Sequence, residues 1–521
     1  FSESRVMRSL KGAGIRNILV LVDEQSLNEL LENPSGMEFR KNIGYGIYPI
    51  HAPGAFHPKI IFCSGPKEGF LAIGSGNLTA AGHGSNDELW SVFHYKGSDS
   101  VNARIFSQVW NYLLSITANI GGNSADKIFR MSRYSPWIAE LPESDLIDFV
   151  SIGSDEIALL PVNEGDERME LVYRLLNQKH VKEIKVLSPY YEKEGLLLTS
   201  FRKNYPDANI KVVIDRKYGL LPVEIDPSDI EFHDWHLSSP KKEDEPSRLH
   251  GKLIVFSLDG DAEFIISGSS NATTAGFGTS EKKAKNKELN LIIRRKKSDV
   301  FDELGLDLTN NSLIDLRQIN ANQTPDVFDR TDQINHPIKI KYAELAGSEL
   351  SLSSDGGSKN TVSLQVFDRD RKLIETTSPL IYQSQLTIQL IQVERLPFLV
   401  CFIDEERGRV SNYALIQDTA IHIKTNPDPN TEKLESMFDN IERGNFGQVA
   451  DLLGLVSFVQ EEGLSPKGTF NAGSTDTGRV EVSKEYEIAP TYEAFTHVSD
   501  AYLLKQKGLL FSPSVRIAEF L

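Results

Sequence analysis

Two blocks of polar residues recur in the same order in the two halves of this chain. His57-Pro58-Lys59 is followed by Gly74-Ser75-Gly76-Asn77 and then Asn86-Asp87-Glu88-Leu89. His250-Gly251-Lys252 is followed by Gly268-Ser269-Ser270-Asn271 and then Asn286-Lys287-Glu288-Leu289. The copies lie 193 residues apart at the His and Lys, 194 at the Gly, Ser and Asn, and 200 at the Glu. Short insertions between the blocks account for the drift. Ordered repetition of this kind marks an internal duplication. The duplicated side chains are polar and suited to acting on a phosphate, whereas a repeat that served packing alone would duplicate leucines.

Strand alternation sends the His and Lys of each His-x-Lys to one face, so an imidazole stands beside a fixed positive charge. The glycine permits close backbone approach. Ser75, Asn77, Ser269 and Asn271 offer short donors to phosphoryl oxygens. Glu88 and Glu288 are of the type that accepts from an imidazole Nδ1–H and supports the imidazolium. Two such sets around one phosphate support a two-step displacement. One histidine attacks phosphorus, and the other protonates the leaving oxygen and then activates water. The lysines and asparagines stabilise the equatorial oxygens. With fixed cations in that place, no metal or other cofactor is expected. The candidate catalytic set is His57, Lys59, Asn77, Glu88, His250, Lys252, Asn271 and Glu288, with Ser75 and Ser269 on the phosphate.

In duplicate and in order, His-x-Lys, Gly-Ser-x-Asn and a downstream Glu resemble the phospholipase D superfamily over roughly residues 1–320. The family usually carries an Asp five residues after the Lys, and here those positions are Ser64 and Ser257. Its phosphodiesterase and nuclease branches often lack that Asp. The resemblance therefore implies a nucleic-acid phosphodiesterase, an endonuclease on DNA before RNA, of the kind found in bacterial restriction and antiviral defence. It also implies His57 as nucleophile and His250 as acid, and by analogy an ATPase or helicase partner. Two other classes stand beside this reading. One is a phospholipid hydrolase or transphosphatidylase, which would want an apolar rim. The other is a non-catalytic scaffold that recruits an ATPase.

A chain of 521 residues exceeds one core. The sequence divides at 1–135 (first lobe), 136–325 (second lobe), 335–423 and 424–521. The fold class is α/β: two duplicated phospholipase D-like lobes forming one site, then a small β-sandwich and a helical C-terminal segment. Hydrophobic residues make up 40% and charged residues 25%, ordinary for a globular protein. No apolar run reaches the length of a membrane span, so no membrane partner is expected. Two distant cysteines, Cys63 and Cys401, fit a reducing cytoplasm. The net charge of −17 excludes a nucleic-acid coat over the whole surface. A local strip at 282–297 remains, with Lys282, Lys283, Lys285, Lys287, Arg294, Arg295, Lys296 and Lys297 around Glu288. Lys283, Lys285 and Arg295 are its candidate nucleic-acid contacts.

The elements that must position these residues alternate. The first lobe reads helix 3–13, strand 16–22, helix 24–32, strands 44–50, 59–63, 70–74 and 89–95, and helix 101–118. The second reads strand 156–160, helix 166–178, strand 183–188, helix 193–204, then strands 210–214, 230–233, 252–257, 263–267 and 289–294. Arg16 to Asp23 matches Ala208 to Asp215, and Asp23 and Asp215 read as helix caps. The second lobe has a strand and helix before this match and the first only a helix, so a strand is expected upstream of Phe1. Tract 119–155 reads as the connection between lobes. His51, His83 and His94 have no partners in the repeat and read as structural, while His233 and His236 precede the second motif. From Ile338 to Ile423 strict alternation predicts an antiparallel sandwich. Helices are expected at 432–441, 445–462 and 491–507, with a mobile stretch at 464–482. Residues 330–521 carry no motif and are assigned to self-association or partner docking. Their removal is expected to leave a folded core.

Overall fold

A computed structural model describes residues 17–32, 45–78, 86–97, 100–118, 120, 122, 124–142, 145, 147–177, 179–240, 248–296, 299–319, 336–356, 361–368 and 370–418. Helix 3–13, His83, Lys297 and everything expected beyond residue 418 lie outside the described residues.

The chain folds as mixed α/β with large sheets and few helices. In the second half nine strands form one sheet. Their order is Leu313–Ile314, Ile230–Asp234, Asn209–Ile214, Val181–Leu187, Leu253–Leu258, Ala262–Gly268, Glu288–Lys296, Asp155–Val162 and Val150–Ile152. Three of these, Ile230–Asp234, Asn209–Ile214 and Val181–Leu187, run parallel. From Val181–Leu187 onward the pairing is antiparallel. Strands such as Asn209–Ile214 are near-continuous apolar runs because both faces are covered. Helices Arg168–Leu175 and Leu196–Asn204 seal one face, with Met169, Val172, Leu197 and Phe201 on Ile184, Val186, Ile210 and Val212.

The first half carries a parallel pair, Ile18–Asp23 with Tyr45–Ile50, and an antiparallel trio, Ile60–Ser64, Glu68–Gly74 and Trp90–Lys96. The trio corresponds in order to Leu253–Leu258, Ala262–Gly268 and Glu288–Lys296. The place that Val181–Leu187 holds between pair and trio in the second half has no counterpart among the described residues of the first.

One hydrophobic core spans both halves. Helix Ser100–Thr117 lies at its centre, with Ile105, Phe106 and Val109 fully buried. Around it gather Leu71, Ile73 and Phe93 from the first half and Leu159, Val255 and Leu289 from the second. The two sets of strands therefore share a core rather than meeting as separate bodies. Tract 119–155 is more than a connection. It holds helix Ser124–Tyr134 and a turn at Pro136–Ile138 that buries Trp137 against Tyr95, ring centroids 4.1 Å apart.

Residues Ile338–Asp418 form one hydrogen-bonded path of seven strands with two short side pairings. Most pairs are antiparallel, but Ile338–Ala346 and Ala414–Asp418 run parallel, which corrects the all-antiparallel expectation. Alternation gives each strand one apolar face, and Ile340, Leu352, Leu364, Val400 and Phe402 meet in a single core. This sheet packs on helix Glu24–Glu32, where Leu27 and Leu31 meet Phe398 and Leu399. Arg409 pairs with Glu32 at 2.8 Å, and Lys339 with Glu24 at 2.5 Å. Removing residues 330–521 would uncover Leu27 and Leu31.

Phe106 packs against the rings of Phe62, Tyr95 and Trp137 at 5.5–6.0 Å. Phe106→Ala should cost about 3–5 kcal/mol of stability, read as a lowered denaturation midpoint. A change below about 1 kcal/mol would contradict the shared-core packing.

Candidate active site

Both copies of the motif come together, and they do so by exchange. His57 Nδ1 lies 2.9 Å from the carboxylate of Glu288, and His250 Nδ1 lies 2.8 Å from that of Glu88. Each histidine is thus held by the glutamate of the other half. The backbone crosses with them. Phe56 bridges to Lys287 in parallel, with His57 N donating to Lys287 O at 2.8 Å. Arg248–Leu249 pairs in parallel with Asn86–Asp87, and His250 N donates to Asp87 O at 3.0 Å.

The carboxylates are fixed on every side. Ser75 Oγ donates to Glu88 at 2.5 Å and accepts from Leu89 N at 2.9 Å. Ser269 does the same with Glu288 and Leu289 N, at 2.5 and 2.9 Å. Both serines are fully buried. This corrects their assignment to the phosphate: their hydroxyls are spent on orienting the glutamates. Asn86 and Asn286 donate to the second carboxylate oxygen at 3.3 and 2.9 Å. The asparagines stand two residues before each Glu in the doubled blocks, a signal that was legible but carried no assigned role.

Gly74 and Gly268 let the Ser-bearing turns lie flat on the Glu-bearing strands. A Cβ at Gly74 would sit 2.3 Å from Leu89 O, and at Gly268 2.5 Å from Leu289 O. Lys59 and Lys252 are buried, and each Nζ donates to the carbonyl of its own histidine, at 2.6 and 2.5 Å. An ammonium has three protons, so the remaining donors are free for a ligand's oxygens. The Asn271 side-chain oxygen is buried without a hydrogen-bond partner among the described residues, while Asn77 is exposed.

Asp23 stands at the start of helix Glu24–Glu32, whereas Asp215 precedes a turn and not a helix, which corrects its reading as a helix cap; both do more. One oxygen of Asp23 accepts from Ser26 N at 2.9 Å and the other from Phe56 N at 2.8 Å. One oxygen of Asp215 accepts from Tyr218 N at 2.9 Å and the other from Leu249 N at 3.1 Å. Each aspartate therefore grips the residue just before a motif histidine. His236 Nε2 reaches Asp215 at 3.2 Å, His233 is buried on Ser312, and His51 pairs with Glu24. The basic strip splits. Lys283 and Lys285 are exposed, and Lys285 O accepts from Gly54 N beside the His57 segment. Arg295 is only 13% exposed, bound to Asp155 and Glu303 at the far end of its strand from Glu288. It drops out as a nucleic-acid contact.

Burial dominates the electrostatics. It pushes His57 below its ordinary value, opposed by Glu288 and helped by Lys59 and Lys252. It pushes His250 to about 4, helped by Lys252 and Lys59 and opposed by Glu88. Lys252 falls to about 8 and Lys59 well below its usual value, both mainly through desolvation. Burial would raise Glu88 and Glu288, but their histidines and lysines outweigh it and hold both low. Each lysine's charge reaches the opposite histidine, so the two sets form one field. The result is two neutral imidazoles, each with Nδ1–H on a carboxylate and Nε2 left to react, set between two cations. That arrangement can attack and protonate around a single anion. Among the described residues no three His, Cys, Asp or Glu side chains are grouped to hold a metal ion. No described helix is long and apolar enough to cross a membrane.

No protein-family model matches the chain, and no curated protein matches it significantly. Solved structures give distant likenesses. A variant of yeast tyrosyl-DNA phosphodiesterase is 10% identical, with a TM-score of 0.36, over 53% of this chain and 77% of that one. Polyphosphate kinase from Porphyromonas gingivalis is 12% identical at 0.32, over 58% and 42%. Nuc, a phospholipase D family member from Salmonella typhimurium, is 20% identical at 0.18, over 27% and 85%. All three scores are too low to carry fold or function.

Glu88→Gln and Glu288→Gln should each lower kcat on a phosphodiester by about 10²–10⁴-fold, the usual worth of a supported acid or base. Steady-state kinetics on the two variants checks it. An effect within threefold for either would show that its carboxylate does not support an imidazole in turnover.

Proposed function

We propose that this chain is a metal-independent phosphodiesterase that cleaves nucleic acid through a phosphohistidine, built from two copies of a phospholipase D-like unit. The observation that carries the reading is the reciprocal pairing of His57 with Glu288 and His250 with Glu88. It gives two imidazoles with matching tautomers beside two lysines, which is what a two-step displacement needs.

The steps follow from the geometry. His57 Nε2 attacks phosphorus as the bond to the leaving oxygen breaks, and His250 Nε2–H delivers its proton to that oxygen. Water then gives a proton back to His250 as its oxygen attacks phosphorus and the P–N bond breaks. An incoming phosphate anion offsets Lys59 and Lys252 and so raises both imidazoles toward the range where His250 can hold a proton. Lys59, Lys252, Asn77 and Asn271 take the equatorial oxygens. His57 is the more open imidazole, with 24% of its side chain exposed against 8% for His250, which favours it as nucleophile.

Nucleic acid is favoured over phospholipid by the exposed Lys285 beside the His57 segment and the exposed Lys283, which also pairs with Glu167, against a chain of net charge −17. An endonuclease of bacterial defence, working in the cytoplasm, is the biological setting we assign. Residues 335–423 and 424–521 carry no part of the motif, and we assign them assembly into a homo-oligomer or docking of an ATPase partner.

His57→Ala and His250→Ala should each abolish cleavage of labelled DNA or RNA, and wild-type turnover should persist in EDTA. Activity lost in EDTA and restored by magnesium would refute the mechanism. As pH rises through about 8, Lys252 releases its proton and a cation facing the phosphate disappears. The ratio kcat/KM should therefore fall on the alkaline side of pH 8, and a plateau to pH 10 would contradict the role of Lys252. Replacing Lys283 and Lys285 with Ala should reduce the log–log salt slope of nucleic-acid binding by about 0.7–0.9 per lost contact. An unchanged slope would return the strip to a solvated edge.

A further inference from the structure

The duplicated residues carry the chemistry, so residues near them that were not duplicated are where the site acquires direction. On the His250 side one aromatic–cation group has no equivalent among the described residues of the first half. Arg248 is exposed two residues before His250, its guanidinium 5.8 Å over the Tyr190 ring and hydrogen-bonded to the Tyr190 hydroxyl. The Tyr190 ring meets the His250 imidazole edge to face at 6.4 Å. The charge of Arg248 reaches Lys252, and that of Glu88 reaches Tyr190, so both border the reacting groups.

A second pair adjoins them. Lys217 lies 5.1 Å over the exposed Tyr218 ring, which in turn meets His236 at 6.3 Å. The two loops are knitted together: Leu220 N donates to Pro189 O at 3.0 Å, and Tyr191 N to Leu220 O at 2.9 Å. At the matching first-half positions stand Ala55 for Arg248, and Gln25 and Ser26 for Lys217 and Tyr218. None of these is a cation or an aromatic.

We propose that Tyr190 and Arg248, extended by Lys217 and Tyr218, form a subsite for the nucleotide next to the scissile phosphate, on the His250 side, in a single-stranded nucleic acid. This rests on the phosphodiesterase reading. Tyrosine faces stack on bases without regard to sequence, and a paired duplex leaves no base face free for them. Arg248 supplies a planar fork of donors suited to a flanking phosphate. Among the described residues the first half shows no such rim, so the strand lies across the site in one direction, with its ordered nucleotide toward the acid.

The test compares wild type with Arg248→Ala, Tyr190→Ala and Tyr190→Phe. Binding of a fluorescent single-stranded DNA oligonucleotide is read in EDTA by anisotropy, and turnover is read on that oligonucleotide and on bis(p-nitrophenyl) phosphate. The alanine variants should weaken binding at least tenfold, and Tyr190→Phe should keep most of it by retaining the ring. Their loss in kcat/KM should be at least tenfold larger on the oligonucleotide than on the small diester. Equal losses on both substrates would overturn the subsite and make the pair a support for His250. Unchanged binding would overturn it outright, as would loss of binding to phosphatidylcholine vesicles in place of DNA. If wild type cleaves neither substrate, yet the alanine variants still lose DNA binding, the subsite stands and the phosphodiesterase reading falls.

Discussion

Everything at this site depends on two carboxylates crossing between halves. Glu288 holds His57 and Glu88 holds His250, so neither half completes the pairing of its own motif histidine. The backbone is committed to the same crossing, because the strands leading into each histidine pair with the strand leading into the opposite glutamate. A shared core around helix Ser100–Thr117 is the packing that keeps this register. A slip of one residue at either crossing would turn an imidazole away from its carboxylate.

The site gathers two lysines and two glutamates in near-complete burial, which is expensive unless every charge is paired and hydrogen-bonded. The serines, the asparagines at 86 and 286 and the two motif histidines meet that requirement for the carboxylates. The lysines are met only in part, by the carbonyls of their own histidines. Their pKa values fall as a result. Two under-compensated cations beside two neutral imidazoles make a site that gains most from an anion arriving. Electrostatics and chemistry thus favour the same ligand.

Much of this was legible in the sequence. The doubled His-x-Lys, the later glutamates and the longer strands of residues 16–294 follow from periodicity and repetition, whereas Val150–Ile152 and the two-residue strands Asn86–Asp87 and Arg248–Leu249 do not. The exchange of glutamates did not, because a repeat gives identical residues to both halves and cannot say which partner each one takes. The serines were misread for the same reason. A short donor near a phosphate site can serve the ligand or its carboxylate, and only the 2.5 Å contacts to the glutamates decide. Arg295 looked like part of a strip because sequence shows charge without showing that Asp155 and Glu303 had already claimed it. Helix Ser124–Tyr134 was missed because the Gly/Ser residues around it read as a connection.

The most direct measurement of the central claim is nitrogen NMR on protein labelled at histidine, with His57 and His250 assigned by substitution. Both should show Nδ1–H with Nε2 unprotonated at neutral pH. Glu288→Gln should then shift the His57 resonances and leave His250 nearly in place, and Glu88→Gln should do the converse. If each glutamine disturbs the histidine of its own half, or disturbs neither, the exchange of carboxylates across the two halves is wrong.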